Sequence, residues 1–244
     1  MKPRRDRARA EASVGRAAHG DRGSVRGDRD VVVFDWDGTV VDSIHAITTA
    51  ICEAARDLGL RIPTPEQARH VIGLGLHDAL RHAVPDLPPS RVDEFAGRYR
   101  YHFLVAKPAD CPFEGMVALL DALRREPLSL SLAVATGKSR AGLDRSLEQT
   151  GLASRFITSR CADEGPSKPH PWMLESIAQE LGIGAERMLM VGDTSHDIDM
   201  AHAFGAASIG VVYGAHSAKA VKDARPDAIA ASVAEVAVLL GVSL

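Results

Sequence analysis

The sequence predicts an α/β protein, a doubly wound parallel sheet with a Rossmann-like core and an inserted α-helical cap domain. Three observations predict it. Val31-Val32-Val33-Phe34 is apolar at every position, as in a strand covered on both faces, and it runs into Asp35-Trp36-Asp37-Gly38-Thr39, where an open α/β sheet places its ligands. A block of about sixty residues with helical periodicity and no strand follows. From Pro112 onward, short apolar runs alternate with amphipathic stretches, the pattern of a parallel sheet covered by helices.

After the first strand, residues 42–59 read as a helix, with Ser43 as candidate cap and Ile44, Ile47, Ile51, Ala54, Ala55 and Leu58 on one stripe. Helical patterns over 65–72, 76–83 and 90–105 come next, divided by Gly73-Leu74-Gly75 and by Pro85-Asp86-Leu87-Pro88-Pro89. Residues 43–111 are expected to form the cap, and residues 30–42 with 112–244 the catalytic core. Within that core the expected elements are a helix over 116–125, a strand over 130–135, a helix over 139–150 and a short strand near 156–158. A helix over 171–181, a strand over 188–191, a helix over 198–204, a strand over 207–212 and a last strand and helix within 228–240 complete it.

At 244 residues and 45% apolar composition, the chain can bury one sizeable core, or a core and a smaller second unit. The net charge of -3 conceals an asymmetry, because residues 1–30 carry nine Lys/Arg against five Asp/Glu and the remainder is acidic. Residues 1–29 are rich in Arg, Ala and Gly with little large aliphatic content, so a disordered basic tail is expected. Interspersed acids and absent aromatics weigh against a nucleic-acid-binding arm. No apolar run reaches the roughly 20 residues of a membrane span, and no apolar secretory segment opens the sequence. A cytoplasmic enzyme that binds neither nucleic acid nor membrane is therefore expected. Cys52, Cys111 and Cys161 are widely spaced, which indicates neither a disulfide framework nor a zinc site.

The expected strand ends gather reactive groups. Thr136-Gly137-Lys138 offers a hydroxyl and an unobstructed N–H before a helix, suited to an anion such as phosphate, although Thr136 could equally cap that helix. Lys168, in Ser167-Lys168-Pro169-His170-Pro171, has its backbone restricted by the following proline and can present its ammonium to a buried anion. His170 could cap or pack against the next helix. Gly192-Asp193-Thr194-Ser195-His196-Asp197 places two carboxylates within reach of one site, with helix capping as the alternative. Capping does not explain why acids also gather at Asp35 and Asp37. Carboxylates from two strands would repel in one cleft unless a cation joined them, and hard oxygen ligands favour Mg²⁺.

In this order, the four clusters resemble the haloacid dehalogenase-like superfamily of phosphotransferases, with a type-one helical cap. Asp35-Trp36-Asp37-Gly38-Thr39 matches its first motif, Thr136 the second, Lys168 the third, and Gly192-Asp193 with Asp197 the fourth. Within the superfamily, Ile72-Gly73-Leu74-Gly75-Leu76, Lys168-Pro169-His170-Pro171 and Tyr213-Gly214 are similar to phosphoglycolate phosphatase-like hydrolases.

The resemblance implies a Mg²⁺-dependent phosphatase acting on a small phosphorylated metabolite, phosphoglycolate-like or a sugar phosphate, through an aspartyl-phosphate. It implies Asp35 as nucleophile and Asp37 as acid/base, with Asp35, Asp193 and the main-chain carbonyl of Asp37 on the metal. Asp197 would lie behind the metal, and Thr136, Gly137, Lys168 and Gly38 would hold the phosphoryl oxygens. Hinges are expected near Asp42-Ser43 and between Ala109 and Pro112. Gly73 and Gly75 of the cap, with Arg69, His70, His77 and Arg81, are the candidates for substrate choice. Asp37 disfavours a dehalogenase, and the absence of lysine from Ser43 to Ala106, with Lys107 at the exit, disfavours a Schiff-base phosphonate hydrolase. A sugar phosphomutase of the β-phosphoglucomutase type and a non-catalytic binding module remain the alternatives. Oligomeric state is not legible.

Overall fold

The computed structural model describes residues 25, 27–106, 110–125 and 127–244. Residues 1–24 and 26 of the expected tail, Lys107 and the expected hinge residue Ala109 lie outside the described residues. Of the tail, Val25 packs against the core, and its N–H donates to the Leu239 carbonyl at 3.0 Å.

Strand β1 (Val31–Phe34) leads into four helices, α1 (Ile44–Asp57), α2 (Pro65–His70), α3 (Leu76–Ala83) and α4 (Val92–Ala106). Helix α5 (Met116–Arg124) and strand β2 (Ser131–Thr136) return to the sheet, followed by α6 (Arg140–Thr150), β3 (Thr158–Cys161) and α7 (Trp172–Leu181). The chain ends with β4 (Met188–Gly192), α8 (Ser195–Phe204), β5 (Ala207–Val211), α9 (Ala218–Asp223), β6 (Ala228–Ala230) and α10 (Val233–Leu239).

The six strands form one parallel sheet in the order β3-β2-β1-β4-β5-β6. This is the doubly wound arrangement expected from the sequence. Because side chains alternate along a strand, Val32 and Phe34 share one face with Leu132, Val134 and Leu189, packing under α5, α6 and α10. Val31 and Val33 share the other with Ala133, Ala135 and Met190, under α7 and α8. That two-sided burial is why β1 is apolar at every position. The chain winds one way from β1 to β3 and the other way from β4 to β6, so the carboxyl end of β1 opens into the crevice where the winding reverses.

Helices α1 to α4 close around a core of their own, in which Ile44, Ile51, Ala54, Leu80, Phe95 and Ala96 are buried. The expected stripe of α1 is buried as read, except that Leu58 is only partly so. Three readings shift. The short strand expected near 156–158 lies at Thr158–Cys161, because β3 is an edge strand of half-polar residues, whereas Phe156 packs edge-on to Trp36 at 5.8 Å. Helix α8 starts three residues earlier than expected because Thr194 caps it. Helix α9 has one buried residue, Val221, and so gives no amphipathic signal.

Leu132 is fully buried at the centre of the sheet's larger core, so Leu132→Ala should lower stability by about 2–5 kcal/mol. Urea unfolding followed by circular dichroism measures this; a midpoint equal to that of the parent chain would contradict the packing described.

Candidate active site

The ladder of β1 continues one residue past the strand, since the Asp35 N–H donates to the Val191 carbonyl at 2.9 Å. The chain then turns tightly about Trp36, whose carbonyl accepts from the N–H groups of Val40 at 2.9 Å and Val41 at 3.0 Å. Gly38 makes that turn possible at φ 85°, and a methyl group there would strike the Asp193 carboxylate. Asp35 and Asp37 consequently meet different partners. Asp35 Oδ1 lies 2.6 Å from Lys168 Nζ, while Asp37 Oδ1 accepts from the Ser43 hydroxyl and pairs with Lys138 Nζ at 2.9 Å. Ser43 was expected to cap α1, but it makes no capping bond because its hydroxyl is spent on Asp37.

From β4 come the other acids. Asp197 serves both readings given to it: its Oδ2 accepts from the Thr194 N–H at 3.0 Å and hydroxyl at 2.6 Å, closing a capping box, and its Oδ1 lies 2.6 Å from Lys168 Nζ. Asp193 accepts from the Thr39 hydroxyl at 2.9 Å and from the Ala215 N–H at 2.6 Å. Lys168, followed by a cis peptide to Pro169, is fully enclosed with these acids.

Burial pushes the Asp35 carboxyl well above the usual range, and Asp197 and Asp193 add to this against the pull of Lys168. Burial, then Asp197, pushes Asp193 up to about 7, against the hydrogen bonds from Ala215 and Thr39. For Lys168 burial opposes the charge, yet the two carboxylates outweigh it and hold the ammonium above its ordinary pKa. One ammonium faces three acids. Ligand oxygens of Asp35, Asp193 and Asp197 lie within 4.8 Å of one another, and Asp35 Oδ2 is buried with no hydrogen-bond partner among the described residues. A hard divalent cation suits this set: it takes carboxylate oxygens, relieves their repulsion and engages the orphaned atom.

Thr136 is buried at the tip of β2, and its hydroxyl accepts from the Lys138 N–H at 3.2 Å. At Gly137 a methyl group would lie 2.6 Å from the Leu74 carbonyl oxygen and 2.7 Å from that of Gly73. The cap loop thus rests directly on the core, and only glycine allows the approach. Gly75 is less tightly placed, since a methyl group there would lie 3.3 Å from the Ser167 side chain. Between cap and core lies a cavity of 730 Å³ that reaches Asp35, Asp37, Thr136 and Gly137.

The remaining candidates fall apart from one another. Gly73, Gly75, His77 and Arg81 line the cavity, but His77 lies 3.4 Å from Asp93 and Arg81 is 3.9 Å from Asp78. Arg69 is exposed and does not line it. The His70 carbonyl instead accepts from His196 Nε2 at 3.2 Å and His216 Nε2 at 3.0 Å, joining cap to core. His170 Nδ1 accepts from the Trp172 N–H at 3.1 Å, so its ring packs at the start of α7, one residue before the N-cap Pro171. Four contributors had gone unread: Lys138 and Ser43 on Asp37, Thr39 on Asp193, and a buried chain in which Trp36 Nε1 donates to Ser146 at 2.7 Å and Ser146 donates to Asp110. Lys138 adjoins a motif residue and Thr39 belongs to one, so both were within reach of the sequence.

A family model described as haloacid dehalogenase-like hydrolase matches residues 32–211. The chain belongs to the haloacid dehalogenase-like hydrolases. It is 36% identical over 214 residues to the Dickeya dadantii (strain 3937) protein named "Probable phosphatase IndB", covering 85% of this chain and 92% of the relative. To the phosphoglycolate phosphatase of Escherichia coli (strain K12) it is 29% identical over 233 residues, covering 86% and 92%. The crystal structure of a predicted phosphatase from Clostridium acetobutylicum superposes with a TM-score of 0.75 at 25% identity, covering 85% of this chain and 96% of that one. That of a predicted phosphoglycolate phosphatase from Haemophilus somnus 129pt gives 0.76 at 24% identity, covering 86% and 96%, and so shares the fold.

An acid whose pKa is higher folded than unfolded holds its proton more tightly in the folded state, so its contribution is lost as pH rises between the two values. For Asp193 that window runs from 3.8 to about 7. Burial lowers His216 to about 4, which gives the opposite slope in both proteins, so the thermal midpoint in EDTA of the parent chain relative to that of Asp193→Asn should fall from about pH 5 to about pH 7.5. A difference that rises through this range would contradict the assignment.

Proposed function

We propose that this hydrolase is a phosphatase that cleaves a small phosphate monoester in two steps, through an aspartyl-phosphate at Asp35. The observation that carries the reading is the division of labour at Asp35: one carboxylate oxygen is fixed by Lys168 at 2.6 Å, and the other is buried without a hydrogen-bond partner among the described residues. A carboxylate held this way at a strand tip on the cavity is placed to attack phosphorus. In the first step an Asp35 oxygen bonds to phosphorus as the ester P–O bond breaks, and Asp37 gives its proton to the departing alkoxide. In the second, Asp37 takes a proton from water as that water attacks phosphorus, releasing inorganic phosphate and the Asp35 carboxylate.

Ser43 and Lys138 hold Asp37 in place for both transfers. Lys168, the Thr136 hydroxyl and the N–H groups at Gly137 and Gly38 are the donors for the phosphoryl oxygens. Asp35, Asp193 and the main-chain carbonyl of Asp37, with Asp197 behind them, would hold Mg²⁺, which supplies charge neutralisation between carboxylate and phosphate. Closure of the cap limits bulk water around the acyl phosphate. The names of the relatives support a phosphatase and make phosphoglycolate the first ester to assay.

Purified chain should release phosphate from p-nitrophenyl phosphate with Mg²⁺ and stop on addition of EDTA. Asp35→Asn should lose turnover while retaining its circular dichroism spectrum, and Asp37→Asn should lower kcat by about 10²–10⁴-fold. EDTA-insensitive release, or wild-type turnover by Asp35→Asn, would remove the proposal.

A further inference from the structure

Cap and core also meet at a second place, one that the cavity does not reach. His70 ends α2, so its main-chain carbonyl is among those a helix leaves without an internal partner. Two core side chains donate to it, His196 Nε2 from the first turn of α8 at 3.2 Å and His216 Nε2 from between β5 and α9 at 3.0 Å. His216 Nδ1 accepts from the Ser195 N–H at 3.1 Å, which leaves the ring proton on Nε2, facing the cap. The His70 and His216 rings stack at 4.9 Å with 14° between their planes, and His196 stands edge-on to His216 at 5.1 Å. None of the three histidines lines the cavity.

The segment that carries His216 is fixed to the core. The Tyr213 hydroxyl donates to the Thr39 carbonyl at 3.1 Å, the Ala215 N–H donates to Asp193 at 2.6 Å, and a methyl group at Gly214 would strike the Asp193 carboxylate. A segment so held stays with the core when the cap moves. Its Ala215 side chain nevertheless packs into the cap's own core, and His216 beside it is buried. A hydrogen bond that exchanges for water on opening contributes only modestly, so such a contact can break and reform at each turnover.

We propose that His216, supported by His196, is a latch: a positioning residue that holds the cap closed over the site by donating to the end of α2. It touches no substrate and acts through the cap alone. The bound ester and the transition state share the closed arrangement, so losing the latch lowers the closed population and weakens both equally. KM then rises while kcat stays near that of the parent chain. This kinetic consequence rests on the phosphatase reading; the latching of cap to core does not.

The test pairs hydrogen–deuterium exchange read by mass spectrometry with steady-state turnover of p-nitrophenyl phosphate in Mg²⁺, all on the full chain. His216→Phe keeps a flat ring and removes the donor, whereas His216→Gln can still donate. In His216→Phe, exchange should quicken about two- to tenfold, the worth of one hydrogen bond, at residues 71–76 and 213–217 on the two sides of the contact. Residues 92–96 of α4 and 119–123 of α5, packed within cap and core respectively, should keep parent rates. KM should rise by a similar factor with kcat within about twofold, and His216→Gln should restore both readouts. Unchanged exchange at the facing segments, an equal rise in α4 and α5, an unmoved KM in an active enzyme, or no restoration by His216→Gln would overturn the latch. Absence of turnover by the parent chain would overturn the phosphatase reading instead, and the exchange rates alone would then decide the latch.

Discussion

Everything at this site follows from confining three carboxylates around one buried lysine. Lys168 lies 2.6 Å from both Asp35 and Asp197, and Asp193 shares the same enclosure. Buried charges are costly unless paired and hydrogen-bonded. The surroundings meet that cost atom by atom: the Thr39 hydroxyl and Ala215 N–H on Asp193, and the Thr194 N–H and hydroxyl on Asp197. What they leave unmet is one oxygen of Asp35 and a surplus of negative charge. A fold that holds acids this way is poised to bind a cation and then an anion, which is the order a phosphoryl-transfer site needs.

The sheet supplies the confinement. Only at the reversal of winding do the tips of β1, β2 and β4 face one crevice, so acids 158 positions apart in the chain, Asp35 and Asp193, become neighbours. Rigid packing beneath holds the tips still, and the chain from Trp36 through Ser146 to Asp110 extends that hold to the segment returning from the cap. Above, the cap loop touches the core through glycines, and the His70 carbonyl receives two histidine rings whose pKa values burial lowers, His216 to about 4. Neutral imidazoles suit this contact, since His216 Nδ1 accepts from the Ser195 N–H while Nε2 donates to His70.

Much of this was legible because the physics is local or periodic. A strand buried on both faces is apolar throughout, so β1 could be read to the residue. Acids at Asp35, Asp37, Asp193 and Asp197 stand out where strands end. Less legible were features set by tertiary contact. Ser43 occupies a capping position and looks like a cap, but the carboxylate of Asp37 competes successfully for its hydroxyl. Arg69 looked like a cap cation for the substrate, yet the turn of α2 carries it away from the cavity. Edge strand β3 was expected near 156–158 but carries too few apolar residues for its bounds, Thr158–Cys161, to be read. Ile47 and Ile51 were legible as part of the apolar stripe of α1, with no sign that they would line a cavity as well as the cap's own core.

The central claim is that Asp35 carries the phosphoryl group. Rapid acid quench during steady turnover, followed by peptide mass spectrometry, tests it most directly. The account predicts a phosphoryl adduct on the peptide spanning Val31 to Thr39, located at Asp35; an adduct on any other residue would contradict it.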